Sequence, residues 1–336
     1  MAERIICFGE IMLRLSPPGH LRLVQANSLD VVYGGSEANV AVALAQLGLD
    51  ASFVTRLPDN DLGAGAINEL RRHGVDTRHI VRGGNRIGIY FLEKGASVRP
   101  SRVIYDRAGS SMAEAGPGDL DWREIFQGAD WFHFSGITPA LGESLAQLTE
   151  EGCRIAKEMG ITVSCDLNYR SKLWSLEEAG RVMGKLIQYT DILIANEEHG
   201  QQIFDIQPVT EGQGMENCRH VARELTKRFH LKATAITLRE GASASDTEWS
   251  AMLFDGKEFY YSPQYRIHIV DRVGGGDAFA AGLIYALCKK KDSRYALDFA
   301  AAACAWKHTV EGDANLASFE ELEGLIKGGL SGRVQR

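Results

Sequence analysis

A mostly parallel β-sheet covered by helices on both faces is the fold class predicted by this 336-residue sequence. Three observations carry that expectation. Short, nearly continuous apolar runs alternate with stretches whose apolar residues recur at helical spacing, the pattern of strands buried on both faces. Hydrophobic residues make up 45% and charged residues 24% of the chain, enough for a sizeable core and unlike a disordered or fibrous protein. No repeat or low-complexity linker interrupts the alternation. At about 100–200 residues per domain the length fits one large domain or two smaller ones. A single domain over residues 1–336 is expected.

The elements follow in order. Residues 5–8, 52–55, 131–134, 162–165, 192–195 and 234–238 read as buried strands. Residues 37–47, 64–73, 144–159, 176–187 and 215–229 show helical spacing. In such sheets ligands bind beyond the carboxyl ends of the strands, so the loops leaving those strands are the candidates for function. Two stretches, 13–33 and 86–105, hold strand-like segments with no helix between them, and 88–93 alternates like a half-buried antiparallel strand. They read as a small sheet apart from the core, a lid over the site; an edge extension of the main sheet fits the same pattern. Residues 207–214 form the best surface-loop candidate.

Charge and cysteine usage exclude several classes. Asp plus Glu number 44 against 37 Lys plus Arg, a net charge of −7. Nucleic acid and acidic membranes reward basic patches, so neither is expected as a partner. The six cysteines are scattered without paired spacing, which argues against disulfides or structural zinc and for a reducing, cytoplasmic setting. The first ten residues read as a strand rather than a signal peptide, and residues 278–288 are far shorter than the ~18 apolar residues of a span. A soluble protein is expected.

The strongest local signal is Asp271-Arg-Val-Gly274-Gly275-Gly276-Asp277, opening an apolar helix. Glycines at a helix start leave backbone N–H groups bare, and the helix dipole favours an anion there. An acidic residue in that first turn repels an anion unless it has another task. Asp277 fits a general base that takes a proton from a hydroxyl while Gly274, Gly275 and Gly276 stabilise a transferring phosphoryl group. The competing reading is an Asp that merely caps a helix, which needs no glycine triplet. Neither a P-loop nor a dinucleotide-binding glycine fingerprint occurs. Residues 59–63 offer a carboxylate pair for catalysis but read better as a turn with a cap before the next helix, and His133, His268 and His308 read as structural.

A second glycine segment lies early, Gly34-Gly35-Ser-Glu-Ala-Asn39, where two glycines let the backbone approach a polyol and Asn39 offers a donor and an acceptor. Together with Asp271–Asp277 in the right order, it resembles the signatures of the ribokinase-like (pfkB) carbohydrate kinases. The likeness spans nearly the whole chain. It implies a three-layer α/β sandwich with a mostly parallel central sheet and a small β lid. Within that family the segments 105–110, Asp166-Leu-Asn168-Tyr169-Arg170 with Leu173-Trp174, and Glu311-Gly312-Asp313 resemble the branch acting on 2-keto-3-deoxygluconate.

The resemblance implies phosphorylation of the terminal 6-hydroxyl of that sugar acid by ATP. Gly34, Gly35, Asn39, Tyr90, Tyr105, Arg107, Arg170 and Asp313 would surround the acid together with Asp277. Arg107 and Arg170 suit a carboxylate because a guanidinium offers a planar fork. Asn168, Arg170, Asn196, Thr237, Arg239, Gly241, Gly274 and Gly276 would face ATP. The family's Asn-x-x-Glu segment appears as Asn196-Glu197-Glu198-His199, with His at the last position, so Glu197 or Glu198 would order Mg²⁺ through water. A monovalent cation is left open. A homo-oligomer joined through the lid is expected. Competing readings are a kinase for fructose, ribose or 5-keto-2-deoxygluconate, and a non-catalytic sugar-binding protein on the same fold. An intact Asp277 argues against the last.

Overall fold

A computed structural model describes residues 3–210, 214–241 and 243–328. Residues 211–213 of the expected surface loop and Ala242, the last residue of the expected nucleotide loop 237–242, lie outside the described residues. The chain starts with β1 (Arg4–Phe8), β2 (Met12–Ser16), β3 (Asp30–Gly34), α1 (Ser36–Gln46), β4 (Asp50–Leu57), α2 (Asp61–Arg72), β5 (Ile80–Arg82), β6 (Ile89–Glu93) and β7 (Arg102–Asp106). Next come α3 (Trp122–Ile125), β8 (Trp131–Ser135), α4 (Glu143–Glu158), β9 (Thr162–Asp166), α5 (Leu176–Leu186), β10 (Ile192–Asn196), α6 (Glu197–Phe204) and α7 (Met215–Phe229). The last part holds β11 (Ala233–Gly241), β12 (Asp246–Phe254), β13 (Phe259–Tyr261), β14 (Tyr265–His268), α8 (Gly275–Cys288), α9 (Ser293–Lys307) and α10 (Phe319–Ile326).

Among the described residues these strands form one ten-stranded sheet in the order β13-β12-β11-β10-β9-β8-β1-β4-β5, with β14 also on β12. Every pairing from β11 to β5 is parallel, and β12 adds an antiparallel margin. Apolar clusters lie on both faces. One holds Val40, Leu44, Phe279, Leu283 and Phe299; the other holds Phe132, Phe134, Leu148, Met183 and Leu225. The three-layer α/β sandwich is therefore the observed architecture.

Local chemistry sets the helix starts. Asn60 accepts from the backbone of Leu62 and Gly63 to begin α2, Ser175 caps α5, and Ser318 with Glu321 closes a capping box on α10. Helix α8 is apolar all round, which fits its place between the sheet and α9, where Gly282 lets it approach Ala300. No helix among the described residues is long and apolar enough to cross a membrane.

The two lid stretches form their own four-stranded sheet, β3-β2-β6-β7, and do not extend the main sheet's edge. It joins the core where β1 runs into β2 and where β3 runs through Gly34-Gly35 into α1. That placement sets it at the carboxyl ends of the parallel strands.

Candidate active site

Two helix starts meet at the carboxyl end of the sheet. Asp277, in the first turn of α8, accepts from Ser36 Oγ at 2.7 Å through Oδ1 and from Asn39 Nδ2 at 2.7 Å through Oδ2. Ser36 Oγ in turn accepts from Asn168 Nδ2 at 3.2 Å. Asn168 holds φ +34° just past β9, a conformation that asparagine tolerates better than most residues. One hydrogen-bond chain thus runs from the β9 loop through α1 to the carboxylate of Asp277. A carboxylate has about four lone-pair sites, so two donors leave room for a substrate hydroxyl.

Burial lifts the Asp277 carboxyl above the ordinary range, and the Asn39 and Ser36 donors and the Arg170 guanidinium pull it back only in part. Asp166, at the end of β9, is pushed up to about 7, first by burial and then by the charge of Asp277. Glu37 is raised by burial, although it accepts from Ser135 N at 3.0 Å, Ser135 Oγ at 2.7 Å and Thr138 Oγ1 at 2.9 Å. Three carboxyls, Asp277, Asp166 and Glu37, therefore lie close enough for their charges to act on one another. Such crowding is the environment in which a base is tuned toward neutral pH.

The glycine loop is shaped from behind. Gly274 sits at φ +85° as the N-cap of α8, and a β-carbon there would run into the backbone carbonyl of Asp313. Around Gly276 nothing lies within 4 Å of the corresponding position, and the residue is exposed. Behind the loop Arg14 of β2 is 2% exposed, donating to Asp271 at 2.6 Å and pairing with Asp313.

Several expected sugar contacts have different partners. Tyr90 and Asp313 are both buried, and the Tyr90 hydroxyl donates to Asp313 directly beneath Gly34. Their burial sets them in the wall behind the glycine pair rather than in the exposed lining, with Arg14 and Tyr90 each donating to one oxygen of Asp313. Asn39 is engaged with Asp277 and, at 3.4 Å, with the Gly35 N–H. Arg107, placed after β7 as expected, is buried with Nε on Glu10 at 2.9 Å and Nη2 on the same oxygen. Glu10, not a ligand, fills that side of its fork. The Arg170 side chain forms no hydrogen bond or ion pair among the described residues and is exposed at the cleft, near enough to Asp277 and Asp166 to lower both. Tyr105 is 39% exposed, its ring 6.1 Å from that of Tyr90.

The expected nucleotide residues line the ends of β10 and β11. Asn196 caps α6 by accepting from His199 N at 2.7 Å, and Thr237 Oγ1 donates to the Ala195 carbonyl at 3.4 Å. Arg239 is exposed on β11, and Gly241 ends that strand. Glu197 does not face the cleft: it is buried, accepting from Cys218 Sγ at 3.2 Å and Gln201 at 3.4 Å, while Glu198 accepts from Gln202. Among the described residues no three His, Cys, Asp or Glu side chains converge to hold a metal. These residues fit a Mg²⁺ carried by nucleotide phosphates and water, not one caged by protein.

Arg14, Glu10, Ser36, Glu37 and Asp166 were not singled out by sequence reasoning as site residues. An Arg inside an otherwise apolar strand, Met12-Leu-Arg-Leu, was the available signal for Arg14, since a buried charge implies a partner. Ser36 and Glu37 stood between two residues already chosen. Nothing local marks Glu10.

Comparison with known proteins follows the same lines. The signature of the pfkB family of carbohydrate kinases matches residues 2–319. A crystal structure of 2-dehydro-3-deoxygluconokinase from Thermotoga maritima is 53% identical, with a TM-score of 0.95 over 98% of this chain and 99% of that one. A 2-dehydro-3-deoxygalactonokinase from Haloferax volcanii is 37% identical over 99% of both chains. A 2-dehydro-3-deoxygluconokinase from Thermoproteus tenax is 30% identical over 96% of this chain and 94% of its own.

Proposed function

The chain belongs to the pfkB family of carbohydrate kinases, and from that premise we propose that it phosphorylates 2-keto-3-deoxygluconate at the 6-hydroxyl with ATP. The observation that carries this reading is Asp277, held by Ser36 and Asn39 at the glycine-lined start of α8. The acceptor hydroxyl hands its proton to Asp277 as its oxygen attacks the γ-phosphorus. The bond from that phosphorus to the β,γ-bridging oxygen breaks and ADP leaves. The N–H groups of Gly275 and Gly276 and the positive end of α8 face the charge that develops on the phosphoryl oxygens. Bound Mg²⁺ would neutralise nucleotide phosphate charge. Asn196, Thr237, Arg239 and Gly241 border the nucleotide, and Arg170, with the free edge of Arg107, reads the sugar carboxylate.

The named relatives support a 2-keto-3-deoxy sugar acid as acceptor. The galactonate relative makes the C4 epimer the second reading. An ATP-consumption assay over both epimers, 5-keto-2-deoxygluconate, fructose and ribose tests the proposal. Turnover of the gluconate form fastest supports it, and a neutral sugar turned over fastest overturns it.

The small sheet exposes Val31 (59%) on β3 and Ile104 (41%) on β7. Exposed edge strands with apolar residues are usually covered. Pairing of two small sheets in a homo-oligomer accounts for both.

A further inference from the structure

Lys307, the last residue of α9, is completely buried behind the glycine loop. Lysine is almost never fully buried unless paired. Yet Asp271 and Asp313, the carboxylates whose charges act on it most, make their ion pairs with Arg14, and Asp271 also with Lys94 at 4.0 Å. The ammonium is held instead by main-chain oxygens: Nζ donates to Val310 O at 3.2 Å and to Asp271 O at 3.4 Å. Asp271 opens the loop that ends at Gly276, and Val310 begins the turn that ends at Asp313. These are the two segments that meet at Gly274, whose missing side chain would strike the Asp313 carbonyl and crowd the Lys307 stem.

Carbonyl oxygens converging from separate segments are how a dehydrated monovalent ion is held, because they replace its water shell. We propose that the Lys307 ammonium is a built-in monovalent cation of this site. As a positioning residue it fastens the anion-hole loop to the Val310–Asp313 turn and adds positive charge behind the start of α8. Phosphoryl transfer then needs no dissolved K⁺ or Na⁺. Burial works against the charged ammonium, and Asp271 and Asp313 support it, two buried anions against the two buried cations Arg14 and Lys307. The inference rests on the kinase reading above.

The test compares initial rates in tetramethylammonium chloride, NaCl and KCl at one ionic strength, with ATP and the accepted sugar acid. The wild type should give the same kcat in all three. Lys307→Ala should lose kcat on the order of 10²-fold in tetramethylammonium with KM little changed, since small misplacements at a reacting centre cost about that much. K⁺ or methylammonium should restore most of that loss by entering the vacated space. Lys307→Met, which fills the space without charge, should not be restored. A wild type that requires K⁺ overturns the inference, and so does a Lys307→Ala with unchanged kcat in tetramethylammonium. If that variant does not fold, the wild-type salt series still decides. Inactivity of the wild type towards every sugar acid would bring down the kinase reading itself, which is distinct from K⁺ dependence in an active enzyme.

Discussion

Asn39 Nδ2 donates to Asp277 Oδ2 at 2.7 Å across 238 residues of sequence, joining the first turns of α1 and α8. The two glycine segments are therefore halves of one site. The early one orients the carboxylate that the late one carries.

Removing either donor should move the pH dependence upward. Hydrogen bonds to a carboxylate favour its charged form, so Asn39→Ala and Ser36→Ala each raise the Asp277 pKa. The acid limb of the kcat profile should shift to higher pH in both variants and furthest in the double variant. An unmoved limb would detach Asn39 from the base.

Asp166 should act differently. Its carboxyl is pushed up to about 7, by burial and by Asp277, so it carries little charge below that pH. Asp166→Asn should therefore leave an acid limb below 7 nearly unmoved, unlike the Asn39 and Ser36 variants. Stability gives an independent check. A carboxyl raised in the folded state contributes most below its unfolded value near 4, and that contribution is lost as pH rises toward 7. The Tm of Asp166→Asn relative to wild type should thus rise between pH 5 and pH 8. A constant difference would contradict the assignment.

The two arginines should separate acid from neutral sugars unequally. The Arg170 side chain has no partner among the described residues, whereas Arg107 already holds Glu10. Losing a hydrogen bond to a charged group costs about 1.5–3 kcal/mol, or about ten- to a hundredfold. Arg170→Ala should raise KM for the sugar acid by that factor and barely affect a neutral hexose. Arg107→Ala should also disturb Glu10, so part of its loss should appear with both substrates. Equal losses in Arg170→Ala would place Arg170 outside carboxylate recognition.

Association should depend on the outer strands of the small sheet. Light scattering at micromolar concentration should show an oligomer, and Val31→Glu, which sets a charge on the exposed β3, should yield monomers. A wild type that stays monomeric would contradict pairing through this sheet.

The parallel core was legible because buried strands and amphipathic helices carry distinct periods; the described bounds of α7 coincide with the expected ones. The antiparallel margin β12–β14 and helices α9 and α10 were missed. Helix α9 is rich in alanine and buried on most sides, so it shows no helical stripe. At the site, Gly274–Asp277 and Asn39 were legible from motif chemistry. The partners of Arg107 and Asp313 were not. Glu10 lies 97 residues from Arg107, and Arg14 lies 299 from Asp313, so no local pattern links them. Only the folded backbone does.

The most direct test of the account is Asp277→Asn, which keeps the side chain's shape and removes the proton acceptor. The measurement is steady-state kinetics with ATP and 2-keto-3-deoxygluconate, alongside equilibrium binding of each. A general base contributes about 10²–10⁴-fold, so kcat should fall by that factor while both affinities stay near those of the wild type. A variant that keeps wild-type kcat would remove Asp277 from the reaction.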